Sequence, residues 1–113
     1  MKEIKAYIKP FKLDEVMLEL SAVSGLTGMS YHSVEGYGRG RGTDGKTPLS
    51  SENVRFVKHF KLEVICRDEI VEQVVELIRS AAHTGLLGDG KIYISDVLDA
   101  VRISTGERGD AAI

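Results

Sequence analysis

An α+β sandwich of the ferredoxin-like type, βαββαβ in order, is the fold this sequence predicts, and three observations predict it. Four stretches alternate apolar and polar residues with the period of a strand, and two others carry apolar residues at helical spacing. The two halves also repeat one order, strand, helix, strand, with each helix opening on acids, Asp14-Glu15 and Asp68-Glu69. Such a fold lays two helices on one face of a single antiparallel sheet. A length of 113 residues suits one domain, spanning 1–113, with a core of ordinary size.

Ile4, Ala6 and Ile8 alternate with Lys5 and Tyr7, which predicts a first strand over about residues 2–9, ended by Pro10. Leu13, Val16, Met17, Leu20 and Val23 follow at helical spacing, with Asp14 and Glu15 where the helix dipole favours acids, and Gly25 and Gly28 stop the helix. Residues 29–37 form a second strand that runs into a glycine-rich stretch. Residues 56–66 make a long third strand, with Phe60, Leu62, Val64 and Cys66 on one face and Lys61, Glu63 and Ile65 on the other. The stripe Ile70, Val71, Val74, Leu77, Ile78 and Ala81 is a second helix, closed by Gly85. Residues 91–97 are a fourth strand and residues 100–103 a last strand-like piece. A polar tail of about 104–113 ends the sequence, mobile unless something orders it. Apolar residues on both faces of the third strand imply that the second face of the sheet is covered, and oligomerisation is the economical cover.

A net charge of −2 with 28% charged residues gives no sign of a nucleic-acid or membrane-surface binder. No apolar run approaches the roughly 20 residues of a membrane span, and the start lacks the apolar segment of a signal peptide, so the default compartment is the cytoplasm. Cys66 is the single cysteine, follows Val64 and Ile65, and reads as a core thiol.

The chemistry concentrates in two glycine-rich segments. Residues 36–53, GYGRGRGTDGKTPLSSEN, interrupt the pattern between the second and third strands. Loops beyond about 12–15 residues in a compact domain are functional or disordered, and this one, taken as about 37–55, is basic and open to close approach. Gly85-Leu86-Leu87-Gly88-Asp89-Gly90-Lys91 has the GxxxxGK spacing of a phosphate-binding loop, but Ile92 stands where that motif needs Ser or Thr. The segment also follows a helix and leads into a strand, so no helix N-terminus aids an anion, and phosphate binding would rest on backbone amides and Lys91. The plain alternative is a glycine-rich turn with a surface lysine. Arg39 at the root of the long loop and Arg102 near the end add two cations suited to a polyphosphate. His32, His59 and His83 lack partners at metal-ligand spacing, Ser50 and Ser51 are exposed hydroxyls that could accept phosphate, and no nucleophile and base set emerges.

Four blocks, IKAYIKPFKLDEV, GLTGMSYHSVEGYGRG, TGLLGDGKIYISDV and RISTGERGDAAI, make the chain resemble the PII signal-transduction proteins from end to end, most weakly over residues 41–57. The resemblance implies a homotrimer with adenine nucleotides, ATP, ADP or AMP, in the clefts between subunits. It implies contacts at Ser30, Gly38, Arg39, Ile65, Gly88, Asp89, Gly90, Lys91 and Arg102. It also implies a loop, about 37–55, that contacts target proteins such as a membrane transporter or a metabolic enzyme, with no catalysis and possible effector positions at Gly40, Lys58 and His59.

Departures from the family pattern bear on the ligands. Gly40 replaces a glutamine that helps hold magnesium and 2-oxoglutarate, so both are doubtful here. His59 stands at the position of the lysine that meets the 2-oxoglutarate carboxylate, with Lys58 one residue away. Ser104 replaces the second arginine of an Arg-x-Arg pair, and Glu52 stands where relatives carry a modified tyrosine. The expected protein is a sensor biased toward ADP or AMP, with weak or absent 2-oxoglutarate coupling. A small nucleotide hydrolase using the GLLGDGK segment, or a nucleotide-independent trimeric scaffold or metal-tolerance protein, are the alternatives.

Overall fold

A computed structural model describes residues 1–37 and 56–113; the loop residues Gly38, Arg39, Gly40, Ser50 and Ser51 lie outside them. Strand β1, Lys2–Ile8, leads through a short 3-10 turn, Pro10–Lys12, into helix α1, Leu13–Ser21. Strands β2, Ser30–Gly36, and β3, Val57–Cys66, flank the long loop. Helix α2, Val71–Ala82, and strand β4, Lys91–Asp96, complete the sandwich. The sheet order is β2-β3-β1-β4, with every neighbour antiparallel, the split βαβ topology that the sequence predicts.

Local chemistry accounts for the element ends. Pro10 has no amide hydrogen for a ladder and its fixed φ suits the turn, where the Lys12 amide bonds the Lys9 carbonyl at 3.0 Å. Helix α2 stops because His83 takes an extended conformation, so the chain leaves the helix two residues before Gly85. The expected strand over residues 100–103 is instead a single bridge, Val101 to Arg108, because among the described residues no strand lies beside this segment to lengthen the ladder.

The core lies between the helices and one face of the sheet. Ile4, Ala6 and Ile8 from β1 and Leu62, Val64 and Cys66 from β3 are buried against Val16 and Leu20 of α1 and Val74 and Ile78 of α2. Each large aliphatic side chain so buried contributes about 1.5–3 kcal/mol of transfer free energy. Burial also pushes the Cys66 thiol up from its ordinary pKa, as expected of an inert core sulfur.

The second face of the sheet mixes charged and aromatic side chains. It carries the ion pairs Lys61–Glu63 at 3.1 Å and Lys5–Glu3 at 3.8 Å, and the edge-to-face rings of Tyr7 and Tyr93. Ile65, 39% exposed, is its apolar element on β3. Alternation along β3 places Lys61 and Glu63 on that face together with Ile65, so charge pairing tempers its apolarity.

The tail is ordered by contacts the sequence does not display. Asp99 accepts from the Ala100 amide at 2.8 Å, the Gly109 amide at 3.1 Å and the Arg108 guanidinium, and the Arg67 guanidinium donates to the Asp110 carbonyl at 3.2 Å. These bonds fold residues 99–113 back toward the start of α2, next to the Met1 ammonium and its Asp68 partner. Among the described residues, no helix is long and apolar enough to cross a membrane.

Candidate functional site

The antiparallel order brings the last residues of β1 and β2 and the first of β3 and β4 to one end of the sheet. Gly36 faces Val57, Ile8 faces Phe60 and Tyr7 faces Lys91. Both roots of the long loop and the glycine turn of residues 83–90 therefore share that end.

The turn is built around Asp89. Its carboxylate accepts from the Thr84 amide at 2.9 Å, from the Thr84 hydroxyl, and from the Lys9 ammonium at 3.2 Å, with His83 Nδ1 3.6 Å away. The Thr84 hydroxyl oxygen in turn accepts from the Leu86 amide at 3.1 Å and from Lys9 at 3.2 Å. Burial of the carboxyl works to raise its pKa, but the two Thr84 donors and Lys9 outweigh it and hold the group well below the usual carboxylate range. The Asp89 side chain is thus consumed in holding the turn, and what this residue presents to a ligand is its backbone.

Three glycines in the turn have left-handed φ, Gly85 at 80°, Gly88 at 81° and Gly90 at 99°. At Gly90 there is a second constraint: an added Cβ would come 1.7 Å from the Tyr7 carbonyl oxygen, so only glycine lets the turn close against β1. Among the described residues, the amides of residues 87–90 have no hydrogen-bond acceptor, and Lys91 is exposed with no carboxylate partner. A run of amides without acceptors beside an ammonium is suited to phosphate oxygens. A cavity of about 220 Å³ adjoins the turn, lined by Ile8, Ile78 and Ile92 together with Arg79, His83 and Lys91.

His59 is the buried polar side chain of this end, 3% exposed, with Nε2 3.1 Å from the Gly88 carbonyl oxygen. A carbonyl only accepts, so Nε2 carries the hydrogen, and in the neutral ring Nδ1 is left as an acceptor. Nδ1 is buried and has no partner among the described residues. Lys58 is exposed and pairs with Glu35 in the ladder, while His59 pairs with Val34. The two residues face opposite sides of β3, so Lys58, though adjacent, does not take the place of His59.

The remaining predicted residues are elsewhere in the protomer. Ser30 is exposed at the start of β2, opposite Glu63, and Ile65 lies opposite Glu3. Strand β4 carries the chain about 17 Å from Lys91 to Asp96, and Arg102 lies beyond that far end. Its guanidinium donates to the Ala111 carbonyl at 3.3 Å and sits 3.9 Å from Glu107. The chain therefore gathers Gly88, Asp89, Gly90, Lys91 and His59 but does not bring Arg102 to them. Lys9 and Thr84, which hold the turn, are not picked out by sequence reasoning; the signal for Thr84 is a hydroxyl residue one position before the first glycine of a turn. Among the described residues, no group of three His, Cys, Asp or Glu side chains is placed to hold a metal.

A family profile described as "Nitrogen regulatory protein P-II" matches residues 1–107. Proteins named "Nitrogen regulatory protein P-II" from Azospirillum brasilense, Cereibacter sphaeroides and Klebsiella oxytoca are 45%, 47% and 45% identical to this chain, in each case over 113 residues and the whole length of both proteins.

Proposed function

Because the chain belongs to the P-II nitrogen regulatory family, a family of signalling proteins and not of enzymes, we propose that it is an adenine-nucleotide sensor. It acts as a homotrimer and controls target proteins, a transporter or a metabolic enzyme, through the loop of residues 37–55. The observation that carries this reading is the glycine turn: its one carboxylate is turned inward onto Thr84 and Lys9, while its amides and Lys91 are left for an anion.

In this reading, the β- and α-phosphates of a nucleotide take the amides of residues 87–90 and the Lys91 ammonium. Arg102 serves the same site from a neighbouring copy, which suits its position at the far end of its own protomer. Gly38 and Arg39 close on the nucleotide from the loop root, and Ser30 and Ile65 contribute beside a copy's sheet edge. Nucleotide then biases the loop only to the extent that it binds one loop state better than another.

The ligand preference follows from missing donors. Ser104 offers no cation to a terminal phosphate, and a charged hydrogen bond typically contributes about 1.5–3 kcal/mol, an order of magnitude or more in affinity. ADP or AMP is therefore favoured relative to the usual ATP preference. Magnesium has little to hold it, since the Asp89 carboxylate is engaged by Lys9 and Thr84 and Gly40 has no side chain. The same glycine, with His59 in place of the lysine that meets the 2-oxoglutarate carboxylate, leaves 2-oxoglutarate coupling weak or absent.

Titration calorimetry with ATP, ADP and AMP, each with and without magnesium and 2-oxoglutarate, tests this. The expected result is ADP or AMP binding that 2-oxoglutarate leaves unchanged, and a gain of about tenfold for ATP over ADP in Ser104→Arg. Tight ATP binding that magnesium and 2-oxoglutarate strengthen together refutes the preference, and binding of no adenine nucleotide refutes the sensor.

A further inference from the structure

We infer that His59 couples the glycine turn to the root of the long loop: it is a positioning residue through which an anion on the turn is felt at the ends of β2 and β3. The inference rests on the reading that the turn receives a nucleotide.

Three features place His59 in that role. Its Nε2–H bond to the Gly88 carbonyl, 3.1 Å long, runs from the third residue of β3 to the middle of the turn. Its ladder partner is Val34, and two steps further Gly36 faces Val57, so the imidazole sits two rungs below both loop roots. Those roots carry Tyr37 and Phe56, whose rings meet edge to face with centroids 5.4 Å apart although both are more than half exposed. The strand ends are thus tied to each other by the rings and to the turn by the imidazole.

Nδ1, which has no partner among the described residues, makes this link switchable. A buried polar atom without a partner carries a desolvation penalty, so a ring position that gives Nδ1 a donor is favoured over one that does not. When an anion draws in the amides of residues 87–90, the peptide planes that bear those amides and the Gly88 carbonyl rotate together. The ring must then follow the carbonyl or release it, and rotation about its last side-chain torsion is soft. Following pulls on the start of β3, and release removes the turn's hold on it.

The test is nuclear magnetic resonance on the full chain with ADP as the probe. In the wild type, ADP shifts the amide signals of residues 88–91 and the ring signals of Tyr37 and Phe56. His59→Phe keeps a buried ring without a donor: ADP binds about tenfold more weakly, the turn signals still respond, and the Tyr37 and Phe56 response falls below half of the wild-type shift. His59→Gln, which keeps a side-chain N–H for the Gly88 carbonyl, restores it. A full Tyr37 and Phe56 response in His59→Phe overturns the inference. So does an imidazole nitrogen pattern in the ligand-free protein with the hydrogen on Nδ1. If ADP leaves residues 88–91 of the wild type unmoved, the nucleotide reading fails separately, and inorganic pyrophosphate becomes the probe. A turn that answers pyrophosphate without Tyr37 and Phe56 responding, or that answers neither probe, overturns the coupling.

Discussion

Replacing Gly90 with alanine separates two reasons for a glycine that usually act together. The backbone there has φ 99°, and an alanine Cβ would stand 1.7 Å from the Tyr7 carbonyl oxygen and 2.7 Å from its carbonyl carbon. A left-handed conformation costs a non-glycine residue roughly 1–2 kcal/mol by itself. The overlap cannot be relieved by a side chain, because the obstacle is the backbone of β1. Relief means parting Gly90 from Tyr7, which faces Lys91 in the first rung of the β1–β4 ladder. Losing one or two ladder hydrogen bonds adds about 1–2 kcal/mol, so Gly90→Ala is expected to lose about 3 kcal/mol or more of a domain stability of order 5–15 kcal/mol. Gly85→Ala is the control for strain alone: its φ is 80°, but the nearest atom to an added Cβ is the tip of His83 at 4.0 Å, so about 1–2 kcal/mol is expected. Gly28→Ala meets nothing within 4 Å and is near neutral. Urea unfolding at one fixed protein concentration, followed by far-ultraviolet circular dichroism, gives the three values. Equal losses at Gly90 and Gly85 would refute the close approach of the turn to β1.

Further outcomes follow from the core and the charged groups. Leu62→Ala removes a fully buried side chain at the centre of the sheet and is expected to cost about 2–5 kcal/mol in the same urea assay; a loss under 1 kcal/mol would mean that β3 does not pack on the helices as described. Asp89 has a carboxyl held below its unfolded range, so its contribution is present above the unfolded pKa of about 3.9 and is lost as pH falls below that toward the folded value. Wild-type stability is therefore expected to fall more steeply from pH 4 to pH 2 than that of Asp89→Asn, and parallel curves would contradict this. Asp99→Ala removes the acceptor shared by Ala100, Gly109 and Arg108, so amide exchange at Arg102, Gly106 and Gly109 is expected to speed up while exchange in β1 and β3 stays unchanged.

Much of the fold was legible because its signals are local. Alternation at Ile4, Ala6 and Ile8 and the helical stripe ending at Ile78 and Ala81 need only neighbours in the chain to be recognised, and both elements stand where those patterns put them. The GLLGDGK segment was likewise readable as a turn between a helix and a strand, since glycine spacing and the flanking periods suffice. What the tertiary structure alone decided are the pairings between residues far apart in sequence. A lysine before a proline gives no sign that it will meet Asp89 eighty positions later, and that ion pair is what turns the carboxylate away from a ligand. His59 alternates like any strand residue, so its burial against the Gly88 carbonyl, and the stranded Nδ1, come only from the sheet order that brings β3 beside the turn. Arg102 and Lys91 carry matching chemistry in the sequence, yet the run of β4 holds them toward opposite ends of that strand. Charge type is a local property of the chain, whereas convergence depends on the direction of every element in between.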